Sequence, residues 1–306
     1  MLLIGIIIFA IRIPVFFTVG NLLNVLLNSS TLGILVLAES LVLLTGHFDL
    51  SIESTLGFTA MFAAWLMGTG EFSSQLGLNP ILAIIIILIV GALIGLFNGF
   101  FVVKLRMNAF IVTLAMLIVL RGATINLTTG NIMRKLPDIY KAISVTKIGG
   151  QVSMMTIVFL VLYIIFYFIL KYSRLGRSLY AVGDNRDAAY ASGINTGRVI
   201  IYAFMLAGLL SAVAGWILSA RFEAVAPNMG EGMVFDVMAA AVIGGISLSG
   251  GKGNIVGALG GVLLLGMIQN VLNLSALSPY YVDMIRGGIV FAAVLIDSLK
   301  YSVFKR

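Results

Sequence analysis

Runs of about twenty mostly apolar residues, bounded by glycine, proline, asparagine or charge, recur along this sequence from one end to the other. A helix rises 1.5 Å per residue and the hydrocarbon core of a bilayer is about 30 Å thick, so a run of about 20 residues is long enough to cross it. Spans fall at about 1–18, 22–46, 51–68, 79–103, 108–128, 153–171, 199–220, 233–250, 254–274 and 283–300. Every backbone N–H and C=O in hydrocarbon needs an internal partner, and the runs far exceed the about ten alternating residues of a barrel strand, so the spans are helices. Composition agrees, with 60% of residues hydrophobic and 10% charged, against about 45–50% and about 25% in a soluble domain. A soluble enzyme is excluded. The expected fold class is an all-α polytopic membrane protein with about ten transmembrane helices, one domain over residues 1–306. Between the second and third spans, Gly46, His47, Asp49, Ser51 and Glu53 fall close together, which fits two clean helices or one broken, re-entrant segment equally well.

The net charge of +7 reflects topology rather than nucleic-acid binding. With both termini in the cytoplasm, the inner segments hold Lys104, Arg106, Lys171, Arg174, Arg177, Arg186, Arg198, Lys252, Lys300, Lys305 and Arg306, while the outer ones hold Arg134, Lys135, Lys141, Lys147 and Arg221. Eleven against five is the positive-inside bias. A cleaved signal peptide is not expected, because the first apolar run lacks a basic leader and an A-x-A-like site. Two segments outside the bilayer are long. Residues 129–152 face outward. Residues 171–198 face the cytoplasm and carry a two-turn helix at about 185–192, with Asp184 or Asn185 as N-cap, Asp187 in the first turn and Gly193 as the C-terminal stop.

Gly91, Gly95 and Gly99 repeat every four residues in the fourth span, and Gly253, Gly257 and Gly261 do so at the start of the ninth. Such faces let helix backbones approach closely in lipid. A shift of five spans reverses direction across the membrane, so the halves would form an inverted-topology pair. Charged groups within apolar runs are costly, about 2.5–3.5 kcal/mol for an acid at mid-membrane. Glu39 therefore faces the bundle interior, serving either a polar pathway or an ion pair with Arg121. Asp49 and Glu53 bracket Ser51 and would share a helix face; alternatively Asp49 caps the third span through the amides of residues 51 and 52. Asn98, Asn108 and Arg121 fit interhelical hydrogen bonds or snorkelling, and Asp236 fits a helix N-terminus.

No cysteine and one histidine leave no disulfide, thiolate or metal-ligand set. The stretch GGISLSGGKGN imitates a phosphate loop but fails its spacing: Ile246 stands five residues before Gly251, and Lys252 is followed by Gly253. No catalytic set is present, and the chain carries no nucleotide site of its own.

Taken together, four segments resemble the permease subunits of bacterial ATP-binding-cassette sugar importers of the ribose-permease type. They are LLTGHFDLSIEST at 43–55, GLFNGFFVVKLRMNAFIVTLAMLIVLRGATINLTTG at 95–130, YAVGDNRDAAYASGIN at 180–195 and MGEGMVFDVMAAAVIGGISLSGGKGNIVGALGG at 229–261. The resemblance runs in order from about residue 20 to 300. It implies a multi-pass subunit of the bacterial cytoplasmic membrane that translocates a monosaccharide by alternating access. It pairs with a second permease chain, identical or not, a cytoplasmic ATPase that holds ATP and Mg, and an extracytoplasmic solute-binding protein. The chain itself binds no cofactor. The helix at 185–192 is similar to a coupling helix, with Asp184, Asn185, Arg186, Asp187, Ala188, Ala189, Tyr190, Ser192 and Gly193 bearing on ATPase docking. The loop at 129–152 and the turn from Arg221 to Gly232 would receive the binding protein. Candidate pathway residues are Glu39, His47, Asp49, Ser51, Glu53, Asn98, Asn108, Arg121 and Asp236.

Three departures cluster within fifteen residues: His47 replaces the second glycine of the family's pair, Glu53 the glycine after the DLS triplet, and Glu39 an uncharged residue. They point to a solute, or a wetting of the path, different from plain ribose. Nucleosides and signalling furanones are alternatives within the family. Outside it, a proton-driven secondary transporter using Glu39, Asp49 and Glu53 is the competing reading, and it has no need of a capped docking helix.

Overall fold

The computed structural model describes residues 15–68, 73–74, 76–275, 278, 280–282, 284–285, 287–288, 291 and 295. The expected spans at 1–18 and 283–300 lie largely outside those residues. Among the described residues, six helices are long and apolar enough to cross a membrane: α1 (Val19–Leu43), α3 (Pro80–Lys104), α4 (Ala109–Leu127), α6 (Met154–Tyr172), α9 (Thr196–Phe222) and α11 (Ile255–Leu274). Two apolar helices are shorter, α2 (Ile52–Leu66) and α10 (Met233–Ile243). Three more, α5 (Asp138–Val145), α7 (Arg174–Asp184) and α8 (Arg186–Ala191), connect them.

Helices α1 and α9 form the centre. Every residue of α1 from Ser29 to Leu43 is buried, and α9 packs on α1, α2 and α3. By contrast α3 shows Ile81, Ile85, Ile89 and Leu93 outward at four-residue spacing, and α6 shows Val161, Ile164, Ile165 and Phe168. Exposed apolar stripes of this kind suit contact with lipid or with another apolar surface. The α3–α9 crossing is close because of the first glycine triplet: a Cβ on Gly91 would lie 2.5 Å from the Gly208 carbonyl oxygen, and one on Gly95 would overlap the Phe204 carbonyl. Gly257 and Gly261 bring α11 against the Gly244 and Ala240 carbonyls of α10 in the same way. Gly253 departs from the expected triplet. It precedes α11, at φ +139° in a turn beside Ile246.

The expected span at 233–250 is also corrected. Helix α10 has 11 residues, about 16 Å at 1.5 Å per residue, or half a bilayer. Residues 244–254 instead form a turn with Gly245, Gly250, Gly251 and Gly253 at positive φ. Helix α2, with 15 residues, is short for a related reason: α1 stops at Leu43, and the chain runs through a largely buried non-helical turn before α2 starts at Ile52. Asp49 and Glu53 therefore do not share one continuous helix.

Outside the long helices, the 129–152 segment forms α5 and two small ladders. Strand β1 (Met133–Arg134) pairs antiparallel with β4 (Ala224–Val225), and β2 (Lys147–Ile148) with β3 (Val152–Ser153). The 171–198 segment holds a helix beyond the one its sequence suggests. In α7, Gly176, Leu179 and Val182 are buried on one face, and the Ser173 hydroxyl accepts from the Gly176 amide at 3.0 Å.

Candidate functional site

The buried turn between α1 and α2 gathers four of the expected polar residues. Asp49 Oδ1 accepts from the Ser51 amide at 2.9 Å and from its hydroxyl at 2.5 Å, which starts α2. Ser51 Oγ in turn accepts from Asn98 Nδ2 of α3 at 2.9 Å. Glu39 Oε1, from α1, accepts from the Asp49 amide at 3.2 Å. Glu39, Asp49, Ser51 and Asn98 are each at most 1% exposed. Among the described residues, one carboxylate oxygen, Glu39 Oε2, and the Asn98 carbonyl oxygen have no hydrogen-bond partner.

Glu39 does not pair with Arg121. The partner of Arg121 is Glu53, 3.6 Å away. Arg121 Nη1 also donates to the carbonyls of Pro227 at 3.3 Å and Met229 at 3.1 Å. The Glu53 Oε2 atom accepts from the Val234 amide at 3.0 Å. That bond supplies what Gly232, at the N-cap of α10, cannot, since Gly232 has no side chain. Glu53 thus lies in the first turn of α2 and at the N-terminus of α10, where two partial positive charges meet. Its carboxylate ties α2, α4 and α10 together. Gly230 packs against the Glu53 carbonyl, where a Cβ would come within 2.9 Å.

The side chains of three candidates make other contacts. His47 is half-buried, with Nδ1 at 3.0 Å from the Thr45 carbonyl and its ring edge-on to Phe204 at 6.2 Å between centroids. Asp236 is buried in the first turn of α10, with Gln269 Nε2 of α11 at 3.5 Å. Asn108 is exposed and caps α4 by accepting from the Phe110 amide at 2.9 Å.

Above the junction, Gly230, Glu231 and Met233 help line a cavity of about 970 Å³ whose other walls include Arg134, Phe222, Glu223 and Asn228. No single residue type marks this cavity in the sequence, because it forms only where β1 meets β4. Helix α5 is fastened beside it. The Tyr140 hydroxyl lies 2.8 Å from Ser219 Oγ, Trp216 Nε1 donates to the Tyr140 carbonyl at 3.1 Å, and Ser144 Oγ donates to the Ala220 carbonyl at 2.9 Å. Lys141 bonds both Asp138 and Glu223 at 3.1 Å. Those two carboxylates, Asp138 foremost, hold its ammonium above the ordinary lysine range. The segments 129–152 and Arg221 to Gly232 thereby share one surface.

At the opposite end, Asn185 is the cap of α8, its Oδ1 accepting from the Ala188 amide at 2.9 Å. Asp184 is instead the last residue of α7. Gly193, at φ +83°, ends α8, with the Ile194 amide donating to the Ala189 carbonyl at 3.1 Å. Arg186, Asp187, Ala188, Tyr190, Ser192 and Gly193 are exposed, whereas Ala189 is buried. The α7–α8 corner rests on two other turns. The Gly251 amide donates to the Leu44 carbonyl at 3.1 Å. A Cβ on Gly250 would fall 2.8 Å from Gly46, and one on Gly251 would fall 2.5 Å from the Asp184 amide. Backbone therefore meets backbone at the α7–α8 corner, at the turn leading to Asp49 and at the turn leaving α10.

Comparison with known proteins adds a family. A family model described as branched-chain amino acid transport system / permease component matches residues 21–294. The chain is 38% identical over 294 residues to the ribose import permease protein RbsC of Escherichia coli strain K12, covering 94% of this chain and 88% of that one. It is 38% identical over 302 residues to RbsC of Bacillus subtilis strain 168, covering 98% and 91%. It is 33% identical over 290 residues to the fructose import permease protein FrcC of Rhizobium meliloti, covering 92% and 79%. No solved structure matches the chain.

Proposed function

The chain belongs to the branched-chain amino acid transport system / permease component family, and from that membership we infer that it is the membrane permease of an ATP-binding-cassette sugar importer. It resides in the bacterial cytoplasmic membrane and is a transport subunit, not an enzyme. The observation that carries this is 38% identity across 94% of the chain to a ribose import permease. The cargo is a monosaccharide, a pentose or a hexose. In support, the cavity of about 970 Å³ holds Arg134, Glu223, Asn228 and Glu231 beside Phe222. Its size suits a small solute, and its polar groups suit hydroxyls while the ring suits a sugar's apolar face.

The working arrangement is ten spans with both termini cytoplasmic and two inverted halves. The two short apolar helices support the repeat. Under a shift of five spans, the third maps onto the eighth, and these contain α2 and α10, whose N-termini both adjoin Glu53. Interrupted helices in matching positions of two halves are a mark of transporter architecture. Two permease chains form the path, and a partner ATPase supplies ATP hydrolysis with its own ATP and Mg. Helix α8 is the coupling helix, with Arg186, Asp187 and Tyr190 offered to the ATPase. The surface of α5, β1 and β4 receives the solute-binding protein. Closing the ATPase pair draws α8 inward. Its displacement passes through Asp184, Gly251 and Leu44 to the turn that carries Asp49 and to α10, switching the cavity between outward-open and inward-open states.

The sequence has no cysteine, so a cysteine at Ala188 is the only thiol of this chain. Purified from membranes holding the partner subunits, this variant should crosslink to the ATPase with a yield that changes on adding ATP. Free labelling of that thiol, with no ATPase co-purifying, would overturn the importer reading.

A further inference from the structure

Lys171 closes the last turn of α6 with neutral neighbours. Its Nζ donates to the Tyr167 hydroxyl at 2.8 Å and lies 5.1 and 5.3 Å from the centroids of the Tyr167 and Tyr172 rings. Among the described residues it forms no ion pair. It borders a recess of about 310 Å³, shared with Tyr180 and the start of α11 at Asn254 and Ile255. Tyr180 is held there by its hydroxyl donating to the Gly253 carbonyl at 3.1 Å. The helix N-terminus adds partial positive charge, and Arg174 and Arg177 are exposed on the adjoining α7.

A second recess, of about 350 Å³, begins where this one ends. Tyr167 and Ile255 line both, and Leu160, Ile164, Phe168, Val256 and Leu259 continue it between α6 and α11. Ile164, Phe168 and Val256 are each more than half exposed, on a face suited to contact with lipid. From Lys171 to Leu160 along α6 is about 16 Å at 1.5 Å per residue, close to one leaflet of a core about 30 Å thick. The pair of recesses is thus a cationic, hydroxyl-bearing pocket at the level of headgroups, continuous with an apolar slot one leaflet deep.

We propose that this groove between α6 and α11 is a binding site for an anionic phospholipid of the inner leaflet. The phosphate sits against Lys171 and the α11 N-terminus, and one acyl chain lies along Ile164, Leu160 and Leu259. Charge complementarity selects the headgroup, since basic recesses between transmembrane helices on the cytoplasmic side attract acidic lipids. The site rests on the cytoplasmic placement of the α6–α7 end proposed above.

The full chain, with its ATPase, is reconstituted in nanodiscs of phosphatidylcholine and phosphatidylglycerol. It is then transferred to detergent, and phospholipid retained by the complex is counted by mass spectrometry. The wild-type chain should keep a single phosphatidylglycerol and shed phosphatidylcholine. Lys171→Ala should retain about fivefold less, the factor a basic residue near an acidic lipid is worth, whereas Lys171→Arg keeps it. Val256→Trp, which fills the exposed slot, should also release it. Equal retention by Lys171→Ala, no preference between the lipids, or displacement by inorganic phosphate alone would overturn the site. So would a crosslink between two copies through Val256→Cys, because the groove would then be a chain–chain interface. Sidedness is scored separately. A cysteine at Ser178 that an impermeant reagent reaches from outside would overturn the topology of the importer reading and with it the inner-leaflet assignment, whereas the lipid count decides separately whether the groove holds an anionic phospholipid.

Discussion

At the scale of single residues, the two buried acidic groups Glu39 and Glu53 have different structural situations. Glu53 is paired and hydrogen-bonded, and it holds Arg121 in a mostly buried position. Removing one partner of a buried pair strands the other charge, at about 3–5 kcal/mol. Glu53→Ala should therefore lower stability by about 3 kcal/mol in thermal unfolding of the reconstituted protein. The double variant Glu53→Ala with Arg121→Met should recover part of that loss. A single variant as stable as wild type would show that the pair does not hold α10. Glu39 is a different case, since one oxygen accepts from the Asp49 amide and the other has no partner among the described residues. Glu39→Gln keeps the acceptor, while Glu39→Leu leaves a buried amide unsatisfied. Unfolding should show the leucine variant less stable than the glutamine variant by about 1–3 kcal/mol. Equal stabilities would mean that the Asp49 amide finds another acceptor. Comparing uptake of ribose with that of other sugars in Glu39→Gln tests the solute reading. Unchanged selectivity there and in Glu53→Gly would sink it.

At the scale of elements, the long helices were legible because apolar length alone defines them. Expected and observed ends of the fourth, fifth, sixth and ninth spans differ by a residue or so. Helix α10 was not legible at its C-terminal end, because Gly244, Gly245 and Ile246 read as apolar while positive φ at Gly245 turns the chain away. Helix α7 was missed because its buried face is small, only Gly176, Leu179 and Val182. Asp49, Ser51, Asn98 and Glu39 could be nominated from charge and polarity. The Arg121–Glu53 pairing could not, because it depends on α2 beginning inside the bundle. The first glycine triplet gives a direct test at this scale. Gly95→Val would press a branched side chain into the Phe204 backbone, and overpacking of this kind costs about 1–3 kcal/mol. The same substitution at Gly122, where a Cβ meets nothing within 4 Å among the described residues, should cost less. Equal losses in thermal unfolding would show that the α3–α9 approach does not require glycine.

Across the whole molecule, the turn at Gly250 and Gly251 joins the exposed α8 corner to the turn that leads to Asp49 and the buried junction. Gly250, at φ +86°, lies against Gly46, so a side chain there must push the turns apart. Gly250→Val should leave the ATPase bound and hydrolysing ATP while sugar uptake in proteoliposomes falls at least about tenfold, since an equilibrium shift of about 1.4 kcal/mol suffices for that factor. The cavity provides an independent readout of the same link. A cysteine at Asn228, within the cavity wall, should react with an impermeant thiol reagent at one rate without nucleotide and at another with ATP bound and hydrolysis blocked. In the Gly250→Val background the two rates should converge, because the ATPase signal no longer reaches α10. If the rates still differ by the wild-type factor in that variant, coupling bypasses the glycine turn and runs through the helices packed on α7, namely α9, which also packs on α2, and α6, which also packs on α1.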